Sequence, residues 1–186
     1  MRTLTKWSIA DYHHMRDLGI LDRRPCELIN GEIWDMAPEG EFHRFVNHRG
    51  VRYLREVMKG KAEIFEAHPI TLPDSEPQPD IAIVRLPDTR YLKHHPYPED
   101  IHWLVEVADT TLTYDLGAKR KLYAKAGIQE YWVIDVTKRQ LTVFRDLQKG
   151  DFSTQTTLSQ GVIHPISFPD VTIDVQRLVN IPEEDG

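Results

Sequence analysis

The sequence has little of what several large functional classes require. Its 186 residues include one cysteine, Cys26, which excludes a disulfide framework and a cysteine-ligated zinc centre. That scarcity points to a reducing compartment, and a cytoplasmic protein is expected. No apolar run approaches the ~20 residues of a membrane-spanning helix, and Met1 to Trp7 lack the apolar core of a secretory signal. A glycine-rich phosphate loop, a Gly-x-Ser-x-Gly elbow and a His-Glu-x-x-His pair are also missing. Basic residues are in deficit, 23 against 29 acids, for a net charge of −6. That balance argues against tight, non-specific nucleic-acid binding by the molecule as a whole.

What remains is ordinary globular composition, 40% hydrophobic and 28% charged, in a length that suits one domain over residues 1–186. Two local clusters run against the net charge. Arg44, Arg49, Arg52, Arg55, Lys59 and Lys61 lie in one stretch with Glu56 as its single acid, and Lys119, Arg120, Lys121 and Lys125 form the second. Each is either a phosphate-facing patch or a solvated helix face.

Local patterns give the elements. Thr5 or Ser8 caps a first helix that Gly19 ends. Asn30-Gly31 between two apolar-rich runs predicts a hairpin with a type I′ turn. Apolar residues at helical spacing predict an amphipathic helix over 41–58, stopped by Gly60. Extended segments are expected at 62–66 and 68–72, a strand at 101–107, a helix at 115–126 and a strand at 131–136. Further strands follow at 141–144, 151–158 and 171–174, then a closing helix at 175–179 and a frayed tail at 181–186. The proline-containing insert from Pro87 to Asp100, with His94-His95, is expected as a surface loop near the site. The sum is an α/β fold, a mixed central sheet flanked by helices with additional β-hairpins.

The chemistry concentrates between Gln78 and Tyr123. Asp80 and Glu106 each sit in or beside a buried-looking apolar strand that does not call for a carboxylate. If those strands pair, both carboxylates project from one end of the sheet. Two close carboxylates resist joint ionisation unless a cation compensates them, and Mg²⁺ or Mn²⁺ suits oxygen donors. Lys119, on the following helix, is placed to orient a water or stabilise the transition state. Glu27 adds a third acid, with the solvent face of an edge strand as its alternative. His43 and Arg44, at the start of the basic helix, are candidates to meet a phosphate. Tyr123, four residues after Lys119 and on its face, is a further substrate candidate, with core packing as its alternative. A capped loop at Asp80 and a half-exposed strand acid at Glu106 would account for the spacing equally.

The ordered set Glu27-Leu28-Ile29-Asn30-Gly31-Glu32-Ile33, Gly40-x-x-His43, Pro79-Asp80-Ile81, Val105-Glu106-Val107-Ala108-Asp109 and Asp115-x-x-x-Lys119 leads into Leu122-Tyr123-Ala124-x-Ala126-Gly127-Ile128-x-Glu130-Tyr131-Trp132. Together these residues resemble the Uma-type restriction endonucleases of the PD-(D/E)xK nuclease-like superfamily, from the first helix to Phe168-Pro169-Asp170. The resemblance implies a restriction-endonuclease-like fold and metal-dependent phosphodiester hydrolysis. It makes Asp80 and Glu106 metal ligands, the Val107 carbonyl a third ligand, and Glu27 an additional acid of the site. The superfamily lysine would stand two residues after Glu106, where this chain has Ala108. Lys119 matches the lysine of the Uma-type pattern instead.

The expected function is a Mg²⁺- or Mn²⁺-dependent endonuclease acting on DNA, working as a homodimer and without a membrane partner. The rival is a nuclease fold kept as a catalytically silent module for nucleic-acid binding or assembly. Hydrolysis of another phosphoester is a third reading.

Overall fold

The computed structural model describes residues 3–180; the expected frayed tail, 181–186, lies outside them. Helix α1 (Ile9–Asp17) begins at Ser8, whose hydroxyl accepts from the Asp11 amide while the Asp11 carboxylate accepts from the Ser8 amide. This reciprocal cap satisfies two of the amides that a helix start leaves unpaired. Strands β1 (Cys26–Ile29) and β2 (Glu32–Asp35) form the expected hairpin. Asn30 and Gly31 take φ of 49° and 75°, the left-handed pair that a type I′ turn demands.

Helix α2 (Glu41–Val57) turns Val46, Val51 and Leu54 inward. The main sheet then runs β3 (Glu63–Glu66), β4 (Ile81–Val84), β5 (Ile101–Ala108), β6 (Tyr131–Asp135), β7 (Gln140–Gln148) and β8 (Asp151–Leu158), in that spatial order. Every neighbouring pair is antiparallel except β5 and β6. A parallel pair needs a crossover. It is supplied by α3 (Leu112–Tyr114), a π-helical turn (Asp115–Lys119) and α4 (Arg120–Lys125). The chain ends in a small ribbon of β9 (Val162–Ile163) and β10 (Ile173–Asp174), followed by α5 (Val175–Val179). The mixed α/β architecture expected from the sequence is what forms.

Both faces of the sheet are covered, so its central strands are buried at every residue of β4, β5 and β6. Helices α2 and α5 cover one face, where Ile81, Ile83, Trp103, Val105, Val107, Trp132 and Ile134 meet Leu54 and Leu178. Helix α4 covers the other, where Ala82, Leu104, Ala108, Tyr131 and Val133 meet Leu122 and Tyr123. The period-2 alternation of a strand assigns Glu106 to this second face, between Leu104 and Ala108.

The structure departs from the sequence expectations in three places. Residues 68–72 form no strand; the Ile70, Thr71 and Leu72 amides donate instead to Pro77, Pro96 and Ser75 carbonyls, because the prolines at 73, 77 and 79 hold the segment as a folded loop. The helix expected at 115–126 starts earlier, at Leu112, and carries the π turn within it. The insert at 87–100 folds into two short 3₁₀ turns, with His94 stacked on Tyr97 at 4.8 Å, and it does not line the main cleft.

The hairpin is fastened to the loop that leads into β4. The Glu76 amide donates to the Leu28 carbonyl at 2.7 Å and the Gly31 amide to the Asp74 carbonyl at 2.9 Å. The Glu76 carboxylate is itself buried, and it is met by His13 at 2.6 Å, Thr71 at 3.0 Å and Arg16 at 3.3 Å. A buried carboxylate is tolerated only with such partners. His13 and Arg16 therefore tie α1 to this loop.

Candidate active site

A cleft of about 560 Å³ opens between the hairpin, the start of α2, the end of β5 and the π turn. The sheet register explains why acids meet there. Ile81 of β4 faces Val105 of β5, and one step further in the same antiparallel register sets Asp80 opposite Glu106. Cross-strand neighbours place their side chains on one face about 5 Å apart at Cβ. The Asp80 Oδ2 accepts from the Val107 amide at 2.6 Å, so the loop residue is pinned across the end of the ladder. The N–H and C=O of one extended residue leave on the same side of a strand. The Val107 carbonyl therefore faces the same gap beyond β4, beside Asp80.

Glu106 is 1% exposed. Its Oε1 accepts from the Tyr123 hydroxyl at 2.7 Å, and its Oε2 lies 3.0 Å from Lys119 Nζ. Burial pushes the Glu106 carboxyl well above the ordinary carboxylate range, and Lys119 only partly counters it. Burial alone would lower the Lys119 ammonium; Glu106, Asp115, Asp80 and Glu27 together more than reverse this and hold it above its usual value. Lys119 thus stays charged at the cleft floor.

Asp115 was not foreseen as a site residue. It is 2% exposed and accepts from the Thr111 hydroxyl. Its Oδ1 lies 3.8 Å from Lys119 Nζ, one helical step away. Burial raises its carboxyl, and the Lys119 charge opposes that. The i, i+4 spacing to Lys119 was the available signal.

His43, on the first turn of α2, reaches Asp80 Oδ2 with Nε2 at 3.1 Å. The carboxylate can only accept when ionised, so Nε2–H donates. That bond raises the imidazole above its usual value despite partial burial. Its Nδ1 is buried with no hydrogen-bond partner among the described residues. Donor atoms of Glu39, His43 and Asp80 lie within 4.8 Å of one another, a second group able to hold a cation. Glu39, one residue before Gly40-x-x-His43, was also missed, because an acid in a loop carries no periodic signal.

Glu27 lines the same cleft and accepts from the Gln78 amide at 3.2 Å. The four residues Glu27, Asp80, Glu106 and Lys119 are thereby brought to one cavity, and His43 joins them. Arg44 and Tyr123 do not line it. Arg44 points outward, with its guanidinium 3.8 Å from Glu39, because the residue after His43 lies about 100° further around the helix. Tyr123 is fully buried and spends its hydroxyl on Glu106. It holds a carboxylate in place, and, fully buried, it has no surface for the substrate contact expected of it.

The two basic clusters separate as well. In the second, Lys119 serves Glu106, Arg120 pairs with Asp151 at 2.9 Å, and Lys125 pairs with Asp74 at 2.8 Å. Those charges are locally neutralised. In the first, Arg44, His48, Arg52 and Arg55 follow at spacings of three and four, one outward stripe along α2.

The whole cleft has a strong excess of acids. Glu27, Glu32, Asp35, Glu39, Asp80, Glu106, Asp109 and Asp115 line it, against Lys119 and His43. Glu32 and Asp35 are offset from outside by Lys6 at 2.6 Å and Arg24 at 2.9 Å. Glu39 has Arg44 at 3.8 Å, and the other five acids share Lys119 and His43.

The sequence profile of the Uma2 family, described as a putative restriction endonuclease, matches residues 9–176. The fold matches the crystal structure of a putative nuclease belonging to DUF820 from Anabaena variabilis, with a TM-score of 0.66 and 17% identity over 84% of this chain and 90% of that one. At that identity the likeness concerns the fold. No curated protein matches the chain.

Proposed function

The chain belongs to the Uma2 family, and from that premise we propose that it is a divalent-metal-dependent endonuclease that hydrolyses phosphodiester bonds in DNA. The observation that carries this reading is the convergence of Glu27, Asp80, Glu106 and Lys119 on one cleft, with Lys119 Nζ 3.0 Å from Glu106 Oε2.

The donor set fits a hard cation. Asp80 and Glu106 offer carboxylate oxygens, and the Val107 carbonyl leaves its strand toward the same gap. Such oxygens suit Mg²⁺ or Mn²⁺. The acid excess supports the same requirement, because a polyanion approaching this many carboxylates meets repulsion unless cations intervene. A cation held by these residues would supply a Lewis acid that polarises the phosphoryl group and lowers the pKa of a water.

The remaining roles fall to the chain's own side chains. Lys119 carries a positive charge to the reacting phosphate and orients the attacking water. Asp115, with Oδ1 3.8 Å from Lys119 Nζ, is a second anchor for that ammonium at the floor. His43 fixes the rotamer of Asp80 and Tyr123 that of Glu106, so neither acid must reorganise during the reaction. Glu27 is the further acid, placed to accept a proton or to support a second cation with the Glu39, His43 and Asp80 group. The outward stripe on α2 would meet phosphates flanking the one that reacts. A homodimer presenting two clefts to the two strands belongs to the same reading, and light scattering that finds only monomer would count against it.

The direct test is divalent-dependent cleavage by wild type and Asp80→Ala over DNA and RNA substrates. Equal activity in the two proteins would sink the proposal. One observation favours a silent binding module: Ala108 stands where the superfamily lysine would, and Lys119 already occupies Glu106 Oε2. Calorimetric titration with Mn²⁺ separates the readings, since a site without metal affinity leaves no route to catalysis.

A further inference from the structure

The carboxylates explain the floor of the cleft and leave its wall unexplained. Trp34 lines the cleft and is 54% exposed. In the hairpin it stands directly opposite Glu27, and directly opposed residues present their side chains to the same face. The indole therefore rises next to a carboxylate of the site. Met36 and Pro38 continue this apolar wall, and Tyr114 lines the same cavity at 41% exposed. Partial burial, and after it the charge of Glu27, pushes the Tyr114 phenol up.

Neither a phosphate nor a cation uses such a surface. Both need oxygen, nitrogen and charge. Large aromatic rings left open to solvent beside a phosphodiester site match the planar, apolar face of a nucleobase, and protein aromatics recognise unpaired bases by stacking on that face. The cavity lies within the range of about 300–1,000 Å³ typical of small-molecule sites, which leaves room for a base in addition to the phosphate. In an intact duplex the faces are covered by neighbouring bases, so only a base taken out of the stack can present one.

We propose that Trp34, with Tyr114 lining the same cavity, forms a nucleobase subsite beside the Glu27 carboxylate that accepts one base unstacked from a DNA strand. The preferred substrate is then single-stranded or locally opened DNA. This rests on the nuclease reading above for the identity of the strand, and the stacking itself is measurable without turnover.

The experiment compares binding of an oligothymidylate with binding of an abasic strand of the same length, in Ca²⁺, followed by fluorescence anisotropy. Wild type should bind the oligothymidylate about tenfold more tightly. Trp34→Ala should bring that ratio close to one while leaving affinity for the abasic strand unchanged, and Trp34→Phe should keep most of it. An unchanged circular dichroism spectrum and Mn²⁺ titration would show that Trp34→Ala is folded with its acidic floor intact. Equal binding of the two strands by wild type, or a ratio that survives Trp34→Ala, overturns the subsite. A base-dependent ratio in Ca²⁺, with no strand cleavage when Mg²⁺ or Mn²⁺ replaces it, sinks hydrolysis and leaves the subsite standing. Wild type that binds neither strand overturns both.

Discussion

The Tyr123 hydroxyl donates to Glu106 Oε1 at 2.7 Å, and both residues are buried among the packing of α4 on the sheet. A residue in the core of the helix–sheet interface thus decides the orientation of a carboxylate at the cleft floor. Tyr123→Phe keeps the ring and removes this one bond. It leaves a buried carboxylate oxygen short of a donor, at a cost of about 1–3 kcal/mol. We expect a lower urea midpoint and weaker Mn²⁺ binding, both measurable on the same preparation. Unchanged Mn²⁺ affinity would show that Glu106 does not depend on Tyr123 for its placement.

Lys119 should separate binding from turnover. Lys119→Met removes the ammonium 3.0 Å from Glu106 Oε2 and preserves most of the buried stem. With its competitor gone, Glu106 should bind Mn²⁺ at least as tightly as in wild type, while cleavage falls by about a hundredfold or more, on the scale of losing a preorganised charge. Calorimetry and a cleavage assay together check this. Retained cleavage would remove Lys119 from the mechanism.

The stripe on α2 makes a prediction about salt. Arg44 and Arg52 are exposed and outside the cleft. If they meet flanking phosphates, Arg44→Gln with Arg52→Gln should reduce the slope of log affinity against log salt by about two. Hydrolysis of a small diester such as methyl p-nitrophenyl phosphate should not change. An unaltered slope would make the stripe a solvated helix face.

His102 gives the fold a sensitivity to acid remote from the site. It lies on β5 with its ring 4.6 Å from that of Phe168, and burial lowers its pKa to about 4. Unfolding returns the imidazole to its ordinary value of about 6.5. Between those values the unfolded chain binds the extra proton, so stability rises with pH. It is fully retained above about 6.5 and falls as pH drops toward 4, by about 2 kcal/mol when the ring's partial contact with water is allowed for. His102→Gln should flatten urea midpoints across this window. A wild-type slope in the variant would assign the effect to other groups.

The sequence discloses the sheet and the acids more readily than it discloses the helix that carries the lysine. Apolar runs and the Asn30-Gly31 turn mark β1, β2, β4, β5 and β6, because strands buried on both faces read as near-continuous apolar runs and a positive-φ pair leaves a local signature. Asp80 and Glu106 stand out for the same reason, as charges inside apolar runs. Their meeting depends on the register of β4 against β5, which no local pattern encodes. The loop at 68–72 has strand-like composition and forms no strand, since its amides find carbonyl partners across the proline turns. Asp115 and Glu39 escape notice because they look like surface acids until the fold encloses one and aligns the other with His43. Trp34, in the apolar-rich run after Asn30-Gly31, carries no signal of its own, and its place in the cleft follows from how the hairpin packs.

The wide turn at Asp115–Lys119 has a consequence for how this molecule can vary. A π turn accommodates one more residue than the α-helical turn it replaces, so the crossover holds an extra residue while Lys119 and Tyr123 still meet on the two oxygens of Glu106. Gly117, at its centre, has open space where a side chain would grow. Deleting it should return the segment to regular pitch while Lys119 and the core residues Leu122 and Tyr123 keep their facing, because the π turn holds its extra residue within a single turn. The turn is thus a place where the crossover can lose one residue, and the cleft rim can be reshaped, without repacking the sheet.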